Sequence, residues 1–217
     1  MIAPRHLIVL ASMAIVDLAL GLAALRFLPT RVPMHWNWQG HVDGYGPAWT
    51  AALILPGCLL AAAAILALLS WLLPRAGNPA SRPAIYGRIA IVIFLAFITL
   101  HAALLRAAQG HAIDFPTVVM LIEGALFAVL GNWLGKLRRN AFAGIRTPWT
   151  LASDVVWERT HRVGGRLMVG YGLVVMLFAL LAPTWAGITV LLGGLLAGLV
   201  WACIYSRQQF IRLQKPA

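Results

Sequence analysis

Apolar and polar positions in this chain fall into long blocks instead of alternating. Six blocks are almost wholly apolar: residues 7–28, 50–73, 89–107, 117–137, 167–182 and 188–205. A helix rises 1.5 Å per residue, so about 20 apolar residues cross the hydrocarbon core of a bilayer. The block at 167–182 is short by that measure, and Arg166 extends it by carrying its charge out to the headgroups. Continuous blocks exclude a transmembrane β-barrel, whose strands alternate. The first block is longer than the roughly 7–15 apolar residues of a signal peptide and lacks a small-x-small cleavage site, so it reads as a retained helix. The pattern predicts an all-α integral membrane bundle of six transmembrane helices.

Composition agrees. Of 217 residues, 61% are hydrophobic and 11% charged, against about 25% charged in a soluble domain. The net charge of +11 would suit nucleic-acid binding, but the basic residues lie between the apolar blocks. Placing both termini inside puts 14 of the 17 Lys and Arg on the cytoplasmic side and leaves Arg26, Arg31 and Arg106 outside. The positive-inside rule therefore predicts an N-in/C-in topology, with the lipid bilayer as a partner and no direct nucleic-acid contact. Cys58 and Cys203 fall within spans as small apolar fillers, without a disulfide framework or a cysteine metal motif. No cofactor is expected.

The connections divide the chain into two modules. Residues 1–73 form two helices around a structured outer loop, 29–49. Residues 74–217 carry the other four spans and a long cytoplasmic loop, 138–166. Pro74, Pro79 and Pro83 break any helix in the first inner connection, 74–88. A basic tail follows residue 205. Within 138–166, Thr147 should be extended because a proline follows it. Ser153 is placed as an N-cap, and Asp154 and Glu158 favour the first turns of a helix. These signals predict a short inner-surface helix near 154–162, closed by Gly164 and Gly165. Trp149 and Trp157 suit the headgroup zone.

The polar, aromatic stretch at 140–161 holds Asn140, Gly144, Ile145, Arg146, Thr147, Pro148, Trp149, Thr150, Ser153, Trp157, Thr160 and His161. This string resembles the signature of the SdpI family of bacterial membrane proteins. Asn132, with Lys136, belongs at the same end of its helix. The outer loop carries Pro33, His35, Asn37, Gly40, Asp43 and Gly44. That pattern resembles a domain of unknown function common before SdpI modules. What the two resemblances imply is an immunity protein of the bacterial cytoplasmic membrane, protecting against a secreted peptide toxin. They also imply signalling by capture of a cytosolic repressor, which would involve Arg146, Trp149 and Trp157.

The outer loop itself reads as a folded cap. Gly40 and Asp43-Gly44 suit tight turns, and Trp36, Trp38, Tyr45 and Trp49 suit an aromatic interface. His35, Asn37, Trp36, Trp38, His41 and Asp43 are the residues expected to face a ligand or toxin. His35, His41 and Asp43 also have zinc-ligating chemistry, although their spacing matches no strong motif. His35 and Asn37 serve equally as hydrogen-bonding posts for the loop.

Asp17, His101 and Glu123 lie inside spans, where a carboxylate is costly unless paired, protonated or hydrated. Helical rise places all three in the outer half of the bundle, with Arg26 and Arg106 above them as partners. They read either as a polar pocket or as interhelical hydrogen bonds. Gly131/Gly135 and Gly194/Gly198 permit close helix contacts. No Ser-His-Asp, Cys-His or His-Glu-x-x-His constellation is present, so catalysis is not expected, and the resemblance implies a non-catalytic immunity protein. The alternatives are a small ion-coupled transporter using Asp17, Glu123 and His101, and a metal-dependent membrane enzyme at the outer loop.

Overall fold

The computed structural model describes residues 2–72, 84–140 and 143–214. Pro74, Pro79 and Pro83 of the expected inner connection lie outside the described residues, as do Arg75, Arg82 and Lys215. Among the described residues six helices are long and apolar enough to cross a membrane: α1 (Pro4–Ala24), α2 (Ala48–Leu72), α3 (Ala84–Ala108), α4 (Phe115–Leu134), α6 (Asp154–Leu181) and α7 (Thr184–Gln214). A short helix, α5 (Pro148–Ala152), precedes α6. Apolar side chains such as Ile8, Leu68, Leu180 and Leu199 point outward from the spans. Helices that are apolar all round are those a bilayer solvates.

The chain divides into two compact units, Met1–Ile122 and Glu123–Ala217. In the first, α1 buries one stripe: Leu10, Ala14, Asp17 and Gly21. Helix α3 buries Gly87, Phe94, His101 and Ala108 at seven-residue steps. Leu10, Ala14, Leu59, Ala63 and Phe94 form a core among α1, α2 and α3. Gly21 lies so near the Ala52 carbonyl that a Cβ there would overlap it.

The outer loop departs from the all-helical expectation. Strands β1 (Arg31–Trp36) and β2 (Val42–Pro47) pair antiparallel. A two-stranded hairpin is marginal alone, and here it rests on helix ends. Val32 is fully buried with Ala51, Leu104 and Ala108, and Trp36 stacks on Phe115 at 4.2 Å. Asp43-Gly44, expected as a turn, lies inside β2. The turn is instead at 37–41, where Gly40 has φ 88°. Gly44 faces His35, and a Cβ on it would come within 2.8 Å of the His35 Cβ. The glycine is needed for that close approach, not for a turn.

In the second unit the expected short helix at 154–162 is the first part of a continuous 28-residue helix, α6. Ser153 caps it as expected, accepting from the Val156 N–H. Gly164 and Gly165 do not end it. They are buried contact points on α6: a Cβ on Gly165 would lie 2.6 Å from the Gly131 carbonyl oxygen of α4, and one on Gly131 would lie 2.8 Å from the Gly165 carbonyl oxygen. Gly124 and Gly172 repeat this approach one heptad away. Close backbone approach through small residues replaces the hydrophobic driving force that lipid removes. Gly194 abuts the Tyr171 ring, while Gly198 meets nothing within 4 Å, so only the first member of that expected pair is a contact. The tail beyond 205 continues α7 to Gln214, with Ser206 and Gln209 buried.

Candidate functional site

The signature folds as a hydrogen-bonded knot at the start of α6. His161 is its centre and is fully buried. Its Nδ1 lies 2.8 Å from the Trp157 carbonyl, and its Nε2 accepts from the Ile145 N–H at 2.9 Å. A carbonyl on one side and a donor on the other fix the neutral tautomer that carries its proton on Nδ1. The Trp157 ring stacks on the imidazole with centroids 3.9 Å apart, and its indole N–H donates to the Leu137 carbonyl at 2.7 Å. Gly144 has φ 118° and lies against His161 Nε2, so both its backbone conformation and its surroundings exclude a side chain.

Past this point Thr147 and Thr150 form a reciprocal capping box for α5, with Pro148 in its first turn. The Thr147 and Ser206 hydroxyls meet at 2.9 Å, and Ser206 donates on to the Ala202 carbonyl. The Thr150 hydroxyl lies 2.7 Å from the Ile145 carbonyl. Asn140 closes its own loop, donating to the Arg138 and Ala143 carbonyls and accepting from the Ala143 N–H. Arg139, which the sequence reading did not single out, holds Asp154 at 2.6 Å and the Leu151 carbonyl at 2.7 Å. Arg162 pairs with Glu158.

These pairings revise one expectation. Trp157, expected in the headgroup zone and at a partner surface, is an interior residue, only 2% exposed. Arg146 is exposed, with no hydrogen bond or ion pair among the described residues. Trp149 is half-buried and Asn132 is exposed on α4.

In the hairpin, the His35 Nδ1 lies 2.5 Å from the Asp43 carboxylate, and both side chains remain exposed. Asn37 Oδ1 accepts from the Gln39 and His41 N–H groups, which shapes the turn. Trp38, Tyr45 and Trp49 are exposed. His41 does not complete a metal set. Among the described residues no three His, Cys, Asp or Glu are placed to hold an ion.

Inside the first unit, Asp17 Oδ1 and His101 Nδ1 meet at 2.7 Å, with both side chains almost wholly buried. Each keeps one buried polar atom without a partner, Asp17 Oδ2 and His101 Nε2. Arg26 and Arg106, expected as counter-ions, are exposed and make no ion pair among the described residues. Glu123 is half-buried on α4 and has no hydrogen bond among the described residues.

Residues 136–206 match the SdpI/YfhL protein family, and residues 13–60 match a domain of unknown function, DUF1648. The chain is also similar to the immunity protein SdpI of Bacillus subtilis (strain 168). They share 20% identity over 150 residues, covering 69% of this chain and 70% of that one. No solved structure matches the chain. The SdpI/YfhL match ends at Ser206, the residue that holds Thr147.

Proposed function

For a multi-pass membrane protein that carries an SdpI/YfhL module behind a DUF1648 domain, we propose the role of a non-catalytic immunity protein in the bacterial cytoplasmic membrane, giving resistance to a secreted antimicrobial peptide. The observation that carries this reading is the hairpin. Its motif residues hold the shape, through Asn37 in the turn and Gly44 beneath His35. Trp38, Tyr45, Trp49 and the His35–Asp43 pair are left exposed. Rigid aromatic side chains around a polar pair are the chemistry that binds an amphipathic peptide. The charge distribution supports an outside hairpin and an inside signature. If the chain also retains a cytosolic repressor, the buried Trp157 and His161 support that surface without touching the partner.

The test is expression in a bacterium sensitive to secreted peptide toxins, challenged with a panel of them. Survival should rise with the wild-type chain and fall back with His35→Ala at equal membrane abundance. Full sensitivity of cells with normal wild-type abundance, across the panel, would remove the immunity reading.

A second reading rests on the Asp17–His101 contact. A buried acid–imidazole pair with an unpartnered atom on each side is a place to hold a proton or an ion, the chemistry of an ion-coupled carrier, and Glu123 is a further carboxylate within a span. Proton flux into liposomes containing the purified protein, abolished by Asp17→Asn and by Glu123→Gln, would favour that reading. Equal flux with wild type and empty liposomes would eliminate it.

A further inference from the structure

Two contacts in the second unit mark where its apolar surface ends. The Trp157 indole donates to the carbonyl of Leu137, the last residue of the apolar block 117–137. The Thr147 hydroxyl meets Ser206, the first residue after the block 188–205. Lys136 and Arg138 flank Leu137, and Arg146 and Arg207 flank the Thr147–Ser206 contact. All four are exposed, and none has an ion pair among the described residues.

The acids of this unit leave them uncompensated. Asp154 is held by Arg139 and Glu158 by Arg162, and Glu123 lies within the apolar part of α4. The backbone presenting Arg146 is also fixed on both sides. Ile145 is bonded through its N–H to His161 and through its carbonyl to the Thr150 hydroxyl. The Thr147 N–H is 2.9 Å from the Thr150 hydroxyl. The guanidinium between them, on a fixed stem beside the end of an apolar block, has no hydrogen bond or ion pair among the described residues. Where an apolar span ends, lipid headgroups begin, and a guanidinium fork matches phosphate oxygens bidentately.

We propose that Arg146 and Arg207, brought side by side by the Thr147–Ser206 contact, form a binding site for the phosphate group of an anionic phospholipid, with Arg146 as its anchor. The site couples the signature to the membrane: the knot around His161 orders the loop, and the loop aims Arg146 at the headgroup layer. It is independent of the immunity reading, because it requires no toxin.

The test uses the full-length protein purified in detergent. Thermal unfolding is followed while phosphatidylglycerol, phosphatidylcholine or inorganic phosphate is added. Phosphatidylglycerol should stabilise the wild type more than phosphatidylcholine does. Arg146→Ala should raise the half-saturating phosphatidylglycerol concentration by about fivefold, the effect of one well-placed cation near an anionic surface. Arg146→Lys should fall between the two, and Arg146→Ala/Arg207→Ala beyond both. Arg138→Ala, which removes an exposed cation outside the Arg146–Arg207 pair, should behave as wild type. Each variant is compared with its own lipid-free melting temperature, so a change in basal stability does not obscure the lipid response. An undiminished response to phosphatidylglycerol in the double variant overturns the proposal. An Arg146-dependent response to inorganic phosphate alone would replace lipid with a soluble anion. An unchanged lipid response, together with Arg146-dependent retention of an acidic cytosolic protein, would replace it with a protein surface.

Discussion

The chain carries two motifs, and they use the same residue types in opposite ways. In the hairpin, His35 is an exposed side chain beside an exposed carboxylate, with Gly44 making room beneath it. In the signature, His161 is fully buried, with Gly144 making room beside it and a tryptophan stacked over it. Both pairings explain why a glycine accompanies a histidine. Only one leaves the histidine available to anything outside the chain. Recurrence of a motif therefore does not separate residues that hold a loop from residues that meet a ligand. Burial and hydrogen-bond partners do. By that measure most of the signature is scaffold, with Arg146 and Pro148 among its exposed residues, whereas the hairpin displays several of its motif side chains.

The intramembrane pair is where the contrast can be broken most decisively. Asp17→Leu leaves His101 buried with its Nδ1 unpartnered, and removing one member of a buried pair costs about 3–5 kcal/mol. The expected result is a large loss of folded protein, read as lower membrane abundance and a lower unfolding temperature. Asp17→Leu/His101→Leu removes both polar groups and should recover most of that stability. If the double variant is stable and still protects cells, the pair is a structural tie between α1 and α3. If it is stable and fails to protect, the pair has a functional role that the hairpin alone does not supply.

Next in size is Gly144→Ala. The added methyl demands an unfavourable backbone conformation and collides with His161, a combined cost of about 2–3 kcal/mol. Trp157→Phe keeps the aromatic stack but leaves the Leu137 carbonyl without the indole donor, for about 1–2 kcal/mol. Both changes should lower the melting temperature, with Gly144→Ala the larger. A Gly144→Ala protein as stable as wild type would mean that the knot relaxes freely, and the scaffold description of the signature would be wrong.

Block lengths made the six spans legible, because lipid selects for length and apolarity more than for any particular residue. Ser153 was legible as a cap for the same local reason that it works: a hydroxyl one residue before a helix. The hairpin was not. Val42-Asp43-Gly44-Tyr45-Gly46-Pro47 is rich in residues that weaken strands, and its stability comes from Val32 and Trp36 packing on distant helix ends. Gly164 and Gly165 misled because glycine in water ends helices, while between membrane helices it lets them touch. The seven-residue spacing of Gly124/Gly131 and of Gly165/Gly172 was the available signal. Helical rise placed Asp17 and His101 at one depth, but their pairing joins residues 84 positions apart. Rotation about each helix axis, which depth does not fix, decides such a contact.

The smallest expected effect on stability sharpens the comparison furthest. His35→Ala removes one partner of an exposed His–Asp contact, for which less than about 1 kcal/mol is expected. Its melting temperature should therefore stay near that of the wild type, in contrast to Gly144→Ala. Protection against the toxin should nevertheless fall, because the side chain stands on the surface proposed to meet the peptide. Asp43→Asn separates geometry from charge at the same place: it keeps an acceptor for His35 and removes the carboxylate's negative charge. A toxin that contacts the imidazole should tolerate Asp43→Asn and lose binding with His35→Ala. If both variants protect as well as wild type at equal abundance, the pair is only a brace across the hairpin. The peptide-binding role would then move to the exposed rings of Trp38, Tyr45 and Trp49.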